Sequence, residues 1–193
     1  MKNMTPKFVI KVAGTLTAIA LVVAALLGLV NSVTHERIEE FNFAATRAAL
    51  DMVTPAGSDY EPVALTDETV AAAAAQGGTL TEMYAVSTGG YACKVVASGS
   101  QGNIEMIVGV AADGTVSGIS VVENSETKGI GSKVMDNLPN AAGVPVLDQF
   151  IGMTGAGDLV VGKNITAITG ATVSTRGITA GANAALAAVA ALG

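Results

Sequence analysis

The sequence predicts an α+β protein: a single N-terminal transmembrane helix followed by an extracytoplasmic antiparallel-sheet domain packed with helices. Three observations predict it. Residues 12–33 carry no charge and are dense in Ala, Leu, Val and Ile. Residues 82–123 alternate apolar and polar side chains at period two, the pattern of half-buried strands. The chain then closes on an Ala-rich run, Ile178 to Leu192, of helical composition.

The apolar run would span about 33 Å as a helix, enough for a bilayer core of about 30 Å. It is longer than the apolar stretch of a secretory leader, and no A-x-A cleavage signal follows it, so it reads as an uncleaved anchor. Lys2, Lys7 and Lys11 precede it and no acid lies before Glu36. Basic residues stay on the cytoplasmic side, which places the N-terminus inside and everything after Thr34 outside. All 16 acidic residues lie beyond the span with seven basic ones, a net charge of −9 there. That balance excludes a nucleic-acid-binding face and disfavours docking on anionic lipid. The domain organisation that follows is a cytoplasmic tip and anchor at 1–33, a juxtamembrane helix and connection at 34–80, and the main domain at 81–193.

Residues 34–52 read as a helix, with Thr34 as N-cap, acids in the first turn and Ile38, Phe41, Ala45 and Ala49 on one face; it could continue the membrane helix outward. Pro55-Ala56-Gly57 ends it, and residues 56–78 form a connection containing one short helix, Asp67 to Gln76. Four strands follow: Glu82–Thr88, Gly90–Ala97, Asn103–Ala111 and Thr115–Glu123. Gly89-Gly90 marks a tight turn, and Asp113-Gly114 predicts a type I′ hairpin with positive φ at both positions. A helix is expected to start near Ser132, and Asp158–Lys163 and Ile165–Ile168 read as two further short strands. The single cysteine, Cys93, falls in an apolar alternating run and reads as a small buried hydrophobe. The single histidine, His35, lies just beyond the span, so neither a zinc site nor a catalytic triad is provided for.

The stretch with most chemistry is Ile168-Thr169-Gly170-Ala171-Thr172-Val173-Ser174-Thr175-Arg176-Gly177. It places four hydroxyls within seven residues just ahead of the Ala-rich helix. Hydroxyls and free backbone amides at a helix start suit a phosphate; they equally suit a plain N-cap. A second segment, Glu126-Thr127-Lys128-Gly129-Ile130-Gly131, has two glycines that permit close backbone approach, and alone reads as a strand-to-helix turn.

Thr169-Gly170-Ala171-Thr172 with Val173-Ser174 resembles the [ST]-G-A-T-x-[ST] signature of the FMN-binding domain family. Glu126 to Gly131 resembles the E-T-P-G-L-G segment of the same family, with lysine in place of proline, and Leu147-Asp148-Gln149-Phe150-Ile151-Gly152 resembles its LDQF-G turn, where Phe150 would pack beneath the site. Thr166 stands where the family pattern has an aspartate. The resemblance covers the chain from anchor to last helix. It implies FMN joined by a phosphoester to the Thr172 hydroxyl, attached by a flavin transferase that uses FAD. It further implies a cofactor site of Thr169, Gly170, Ala171, Thr172, Ser174, Thr175, Glu126, Thr127, Gly129 and Gly131, with Gly129 to Gly131 against the ring and Glu126 or Thr127 bonded to it.

The family includes the G subunit of the Rnf ferredoxin:NAD oxidoreductase complex and the C subunit of the sodium-pumping NADH:quinone oxidoreductase. The chain's length and lack of long insertions fit the first better. The function so implied is an electron relay among the membrane and redox subunits of an ion-translocating complex. Alternatives are a C-type subunit, a tethered flavin domain feeding an extracytoplasmic reductase, and a flavin-free structural subunit. No side chain suggests a substrate-handling acid, base or metal ligand.

Overall fold

The computed structural model describes residues 6–193. The chain divides into two units, residues 1–44 and 45–193. Lys2 and the side chains of Thr34, His35, Ile38 and Phe41 lie outside the described residues. Helix α1 runs from Pro6 to Val53. Within the first unit, Ile10–Asn31 forms a candidate span with a mean hydropathy of 2.4 and no buried residue. Ile10, Leu16, Leu21 and Leu29 are each more than 60 % exposed, as expected of a face meant for lipid rather than protein. Because α1 is unbroken through Thr34, that residue is not an N-cap; the expected juxtamembrane helix is a continuation of the apolar one.

The second unit is built on a five-stranded antiparallel sheet in the order β1-β2-β3-β4-β5. The strands are β1 Tyr60–Pro62, β2 Gly78–Val86, β3 Tyr91–Ser98, β4 Asn103–Val110 and β5 Val116–Asn124. The last three lie within one or two residues of the sequence reading. β2 starts four residues earlier than expected, because Gly78 and Thr79 continue the pairing with Ala97 and Val96. β1 falls in the expected connection. It is a three-residue edge strand ending in proline, too short to show a period.

Two turns set the register. Val86 N–H bonds to Gly90 O at 3.1 Å around Gly89 and Gly90, both at positive φ. The β4–β5 turn is not type I′: Gly114 alone has positive φ, at +79°, while Asp113 does not. Ala111 N–H bonds to Thr115 O across a three-residue loop, and the Asp113 carboxylate accepts from Thr115 N at 3.0 Å and Oγ1 at 2.7 Å. The Asp113 side chain thus holds the turn from an ordinary backbone conformation, with glycine supplying the one left-handed residue.

Each face of the sheet is covered over part of its length. On one face, the last residues of α1 (Ala49, Leu50, Val53) pack against Val86, Ala92 and Ile107. The other face carries the main core. There α4 (Thr172–Ala190) lies over β2, β3 and β4, whose Cys93, Val95, Met106 and Val108 are in the core, and α2 (Asp67–Ala75) packs on α4 and β2. α2 is closed by a reciprocal capping box between Thr66 and Thr69. Small residues along α4 bring its backbone close to the sheet: a Cβ on Gly78 would lie 2.6 Å from that of Ala184. Cys93 is fully buried, as its apolar surroundings in the sequence suggest.

Residues 125–171 carry the short helix α3 (Ser132–Met135), a 3-10 turn at Asp148–Phe150 and a series of turns. Phe150 is fully buried in the main core. The two strands expected at 158–163 and 165–168 are absent as strands; one parallel bridge, Val161 to Ile165, is what forms. Glycines at positive φ (Gly155, Gly157, Gly162) turn the chain too often for a ladder to extend. α4 begins six residues earlier than its Ala-rich composition suggests, so Thr172, Ser174 and Thr175 are inside the helix.

Candidate functional site

The two sequence segments meet. Glu126, Thr127, Ile130 and Gly131 from the loop after β5 line a cleft of about 290 Å³ together with Gly170, Ala171, Thr172, Val173 and Ser174 from the start of α4. Ser100 and Gln101, from the β3–β4 hairpin turn, complete it. Of the residues read from the sequence, Glu126, Thr127, Gly131, Gly170, Ala171, Thr172 and Ser174 are brought together. Thr169 and Gly129 are exposed outside the lining, and Thr175 is fully buried below it. A larger cavity of about 360 Å³ opens at the end of α1, between Thr54, Val86, Tyr91 and Val110. It gathers no residue of either segment.

The helix start is shaped for an anion. Gly170 turns the chain at φ +85°, and Ala171 takes the N-cap position with no side-chain cap bond. The first main-chain bond into the helix is Thr175 N–H to Ala171 O at 3.0 Å. The amides of Thr172, Val173 and Ser174 precede it and have no intrahelical partner, and the helix dipole places positive potential there. A Ser, Thr or Asp at the N-cap would have consumed one of these donors; alanine leaves them available.

The hydroxyls of the segment differ in what they touch. Ser174 Oγ donates to Glu126 Oε2 at 2.6 Å, and Thr175 Oγ1 donates to the Ala171 carbonyl at 3.0 Å. Both residues are buried, at 1 % and 0 % exposure. Thr172 is half-buried in the cleft lining, and among the described residues its hydroxyl makes no hydrogen bond. Of the three hydroxyls at the start of α4, Thr172 is therefore the one that can react or bind without losing a partner. Across the cleft, the Ser100 and Thr127 hydroxyls are likewise unengaged among the described residues.

Glu126 is 8 % exposed and fully engaged by the protein. Its Oε1 accepts from Ser100 N at 2.6 Å and Gln101 N at 3.3 Å, while Oε2 takes the Ser174 hydroxyl. Its carboxylate thus faces the hairpin turn and α4, rather than being free for a ring as the family resemblance implies. Gly131 has a parallel explanation: a Cβ there would sit 2.1 Å from Glu126 Oε2 and 2.8 Å from Ser174 Oγ. Gly99 is constrained from the other side, its Cβ falling 2.2 Å from Glu126 Oε1. Sequence reasoning misses Ser100 and Gln101 because they contribute backbone N–H groups, which any residue but proline carries. The one available signal is the Gly99-Ser100-Gln101-Gly102 turn itself, closed by Gly99 N–H to Gly102 O at 2.7 Å.

An uncapped helix start thus borders a glycine-bounded cleft on a helix-covered antiparallel sheet, an arrangement with room and free amide donors for an anionic ligand. Residues 99–187 match the FMN-binding domain family, and residues 1–53 match the RnfG N-terminal region. The chain is 34 % identical over 195 residues to the G subunit of the Na(+)-translocating ferredoxin:NAD(+) oxidoreductase complex of Acetobacterium woodii, covering 92 % of this chain and 89 % of that protein. It is 29 % identical to the G subunit of the ion-translocating oxidoreductase complex of Methanosarcina acetivorans, covering 89 % of each. A third relative, the corresponding G subunit from Pseudoalteromonas atlantica, is 30 % identical over 62 % of this chain and 58 % of its own length. The chain belongs to the family of G subunits of the Rnf-type ion-translocating oxidoreductase complex.

Proposed function

We propose that this protein is a membrane-anchored electron-transfer subunit of an Rnf-type complex, carrying FMN joined covalently to Thr172. The observation that carries this is the meeting of Glu126–Gly131 and Gly170–Ser174 in one cleft, with the Thr172 hydroxyl unengaged over an uncapped helix start. The names of the relatives support the redox role, and the FMN-binding domain match supports the cofactor.

FMN, when bound, supplies one- and two-electron chemistry; the chain supplies attachment, orientation and electrostatics. In this reading Thr172 Oγ1 holds the phosphate, and the amides of Thr172, Val173 and Ser174 offset its charge. Ile130 and Val173, both about half exposed at the cleft, offer apolar surface to a ring. A flavin transferase installs the group from FAD, so it is a maturation partner. Attachment keeps the flavin on the protein where replacement is scarce.

Ile10–Asn31 anchors the chain, and the basic residues ahead of it (Lys2, Lys7, Lys11) support a cytoplasmic N-terminus and an extracytoplasmic main domain. The partners are then the other membrane and redox subunits of the complex, with no small-molecule substrate turned over by this subunit alone. The ion pathway lies elsewhere, since the span has no acid. The test is electron transfer from reduced ferredoxin to NAD in membranes containing the whole complex. Thr172→Ala should abolish that transfer while the subunit still assembles. Undiminished transfer in that variant would overturn the reading.

A further inference from the structure

Attachment at Thr172 leaves a question of chemistry. Ser174 stands two residues away, borders the same cleft and carries a primary hydroxyl, less hindered than the secondary hydroxyl of threonine. Intrinsic reactivity does not favour Thr172. Some feature of the fold must.

We infer that Glu126 selects between the two hydroxyls that α4 brings to the cleft: it sequesters that of Ser174 and so leaves Thr172 as the acceptor on the helix. This rests on the flavin attachment proposed above. The geometry is specific to one serine. Ser174 Oγ donates to Glu126 Oε2 at 2.6 Å, in the range of a strong hydrogen bond to a charged acceptor, and the residue is 1 % exposed. The carboxylate is held in turn by Ser100 N and Gln101 N on Oε1. Gly131 and Gly99 close over it from two sides with no room for a side chain. Ser174 is thereby fixed with its oxygen turned into the protein.

The attachment step shows why this matters. The acceptor oxygen forms a bond to the FMN phosphorus of FAD, the bond from that phosphorus to AMP breaks, and AMP leaves while the hydroxyl proton is released. The acceptor must approach phosphorus opposite the departing AMP and must lose its proton. The Ser174 oxygen has neither an open side nor a proton uncommitted to Glu126. Thr172 has both. Glu126 acts here through Ser174, as a positioning residue.

The experiment compares wild type, Thr172→Ala and the double variant Thr172→Ala with Glu126→Ala, each co-expressed with an active FAD-dependent flavin transferase. The tryptic peptide Asn164–Arg176 is fragmented to locate the flavin. Selection by Glu126 predicts flavin on Thr172 in wild type, a bare peptide in Thr172→Ala, and flavin on Ser174 in the double variant. The gain on Ser174 should be roughly tenfold or more, matching the loss of one hydrogen bond to a charged group. A merely structural role for Glu126 would leave the folded double variant as bare as Thr172→Ala. If Glu126→Ala does not fold by circular dichroism, Glu126→Gln carries the test, since its amide nitrogen cannot accept the serine proton. Flavin on Ser174 in Thr172→Ala alone, or none on Ser174 in the folded double variant, overturns the inference. Wild type without flavin on Thr172 overturns instead the attachment itself.

Discussion

Gly177 of α4 crosses the end of β3 so closely that a Cβ on it would lie 2.6 Å from the carbonyl oxygen of Ser98. One turn later Gly181 sits on Met106, where a Cβ would lie 2.5 Å from the sulfur. The helix that begins at the cleft is thus laid directly on the strands that lead into the Ser100–Gln101 turn. The two contacts differ in kind, one against backbone and the other against a flexible side chain.

That difference predicts two unequal substitutions. Gly177→Ala gains about 1 kcal/mol of helix propensity but must displace strand backbone, for a net loss of about 2 kcal/mol. Gly181→Ala pushes on a methionine that can rotate away, so its loss should be under about 1 kcal/mol. Urea unfolding of the two variants checks the order.

Asn183 fixes the turn region to the same helix. Its side-chain oxygen accepts from Gly157 N at 3.0 Å and Leu159 N at 3.3 Å, and its amide donates to Leu159 O at 2.9 Å. All three groups lose their partner in Asn183→Ala, for an expected cost of about 2–3 kcal/mol. Thermal melts check the size, and proteolysis should cut first within 155–165.

The end of α1 rests on a cross-strand pair of glycines, Gly109 and Gly118. A Cβ on Gly109 would fall 2.4 Å from the Val53 carbonyl, which also accepts from Ser117 Oγ at 2.6 Å. Gly109→Ala should therefore lift Ala49–Val53 from the sheet. Amide hydrogen exchange across those residues should accelerate, with β2–β3 unchanged.

Burial pushes the Cys93 thiol up to about 12 from an ordinary 9.0. Burial and the Glu82 carboxylate push Tyr84 to about 12 from 10.0. Both groups lose their proton more readily in the unfolded chain. The stability they contribute is complete below about pH 9, and it is lost as pH rises toward the folded values. The slope from Cys93 approaches about 1.4 kcal/mol per pH unit once the unfolded thiol is ionised. Melts from pH 7 to 10.5 should fall above about pH 9 in wild type, with onset delayed by about one unit in Cys93→Ala.

The sheet was legible because β5 and most of β3 alternate buried and partly exposed side chains. β4, buried on both faces from Met106 to Val110, reads as strand from its apolar run between turn signals. Thr172 and the Glu126–Gly131 segment were legible as types in order, and they do share a cleft. What escaped was set by backbone or by tertiary contact. Ser100 and Gln101 act through N–H groups. The direction of the Glu126 carboxylate depends on Ser174, 48 residues away. α4 reaches back to Thr172 although Val173, Ser174, Thr175 and Gly177 are mediocre helix formers, because Ser174 and Thr175 are buried there. The 155–168 segment reads as strand from its apolar residues, yet its glycines turn it. Asp113 reads as left-handed from its neighbour, whereas its carboxylate holds the turn from an ordinary φ.

The most direct measurement is the intact mass of the denatured protein, co-expressed with a transferase shown to be active on a control substrate, for wild type and Thr172→Ala. Covalent FMN at Thr172 predicts a gain of about 438 Da in wild type, one FMN less water, and none in the variant. An unmodified wild type, or a variant that keeps the added mass, would contradict the account.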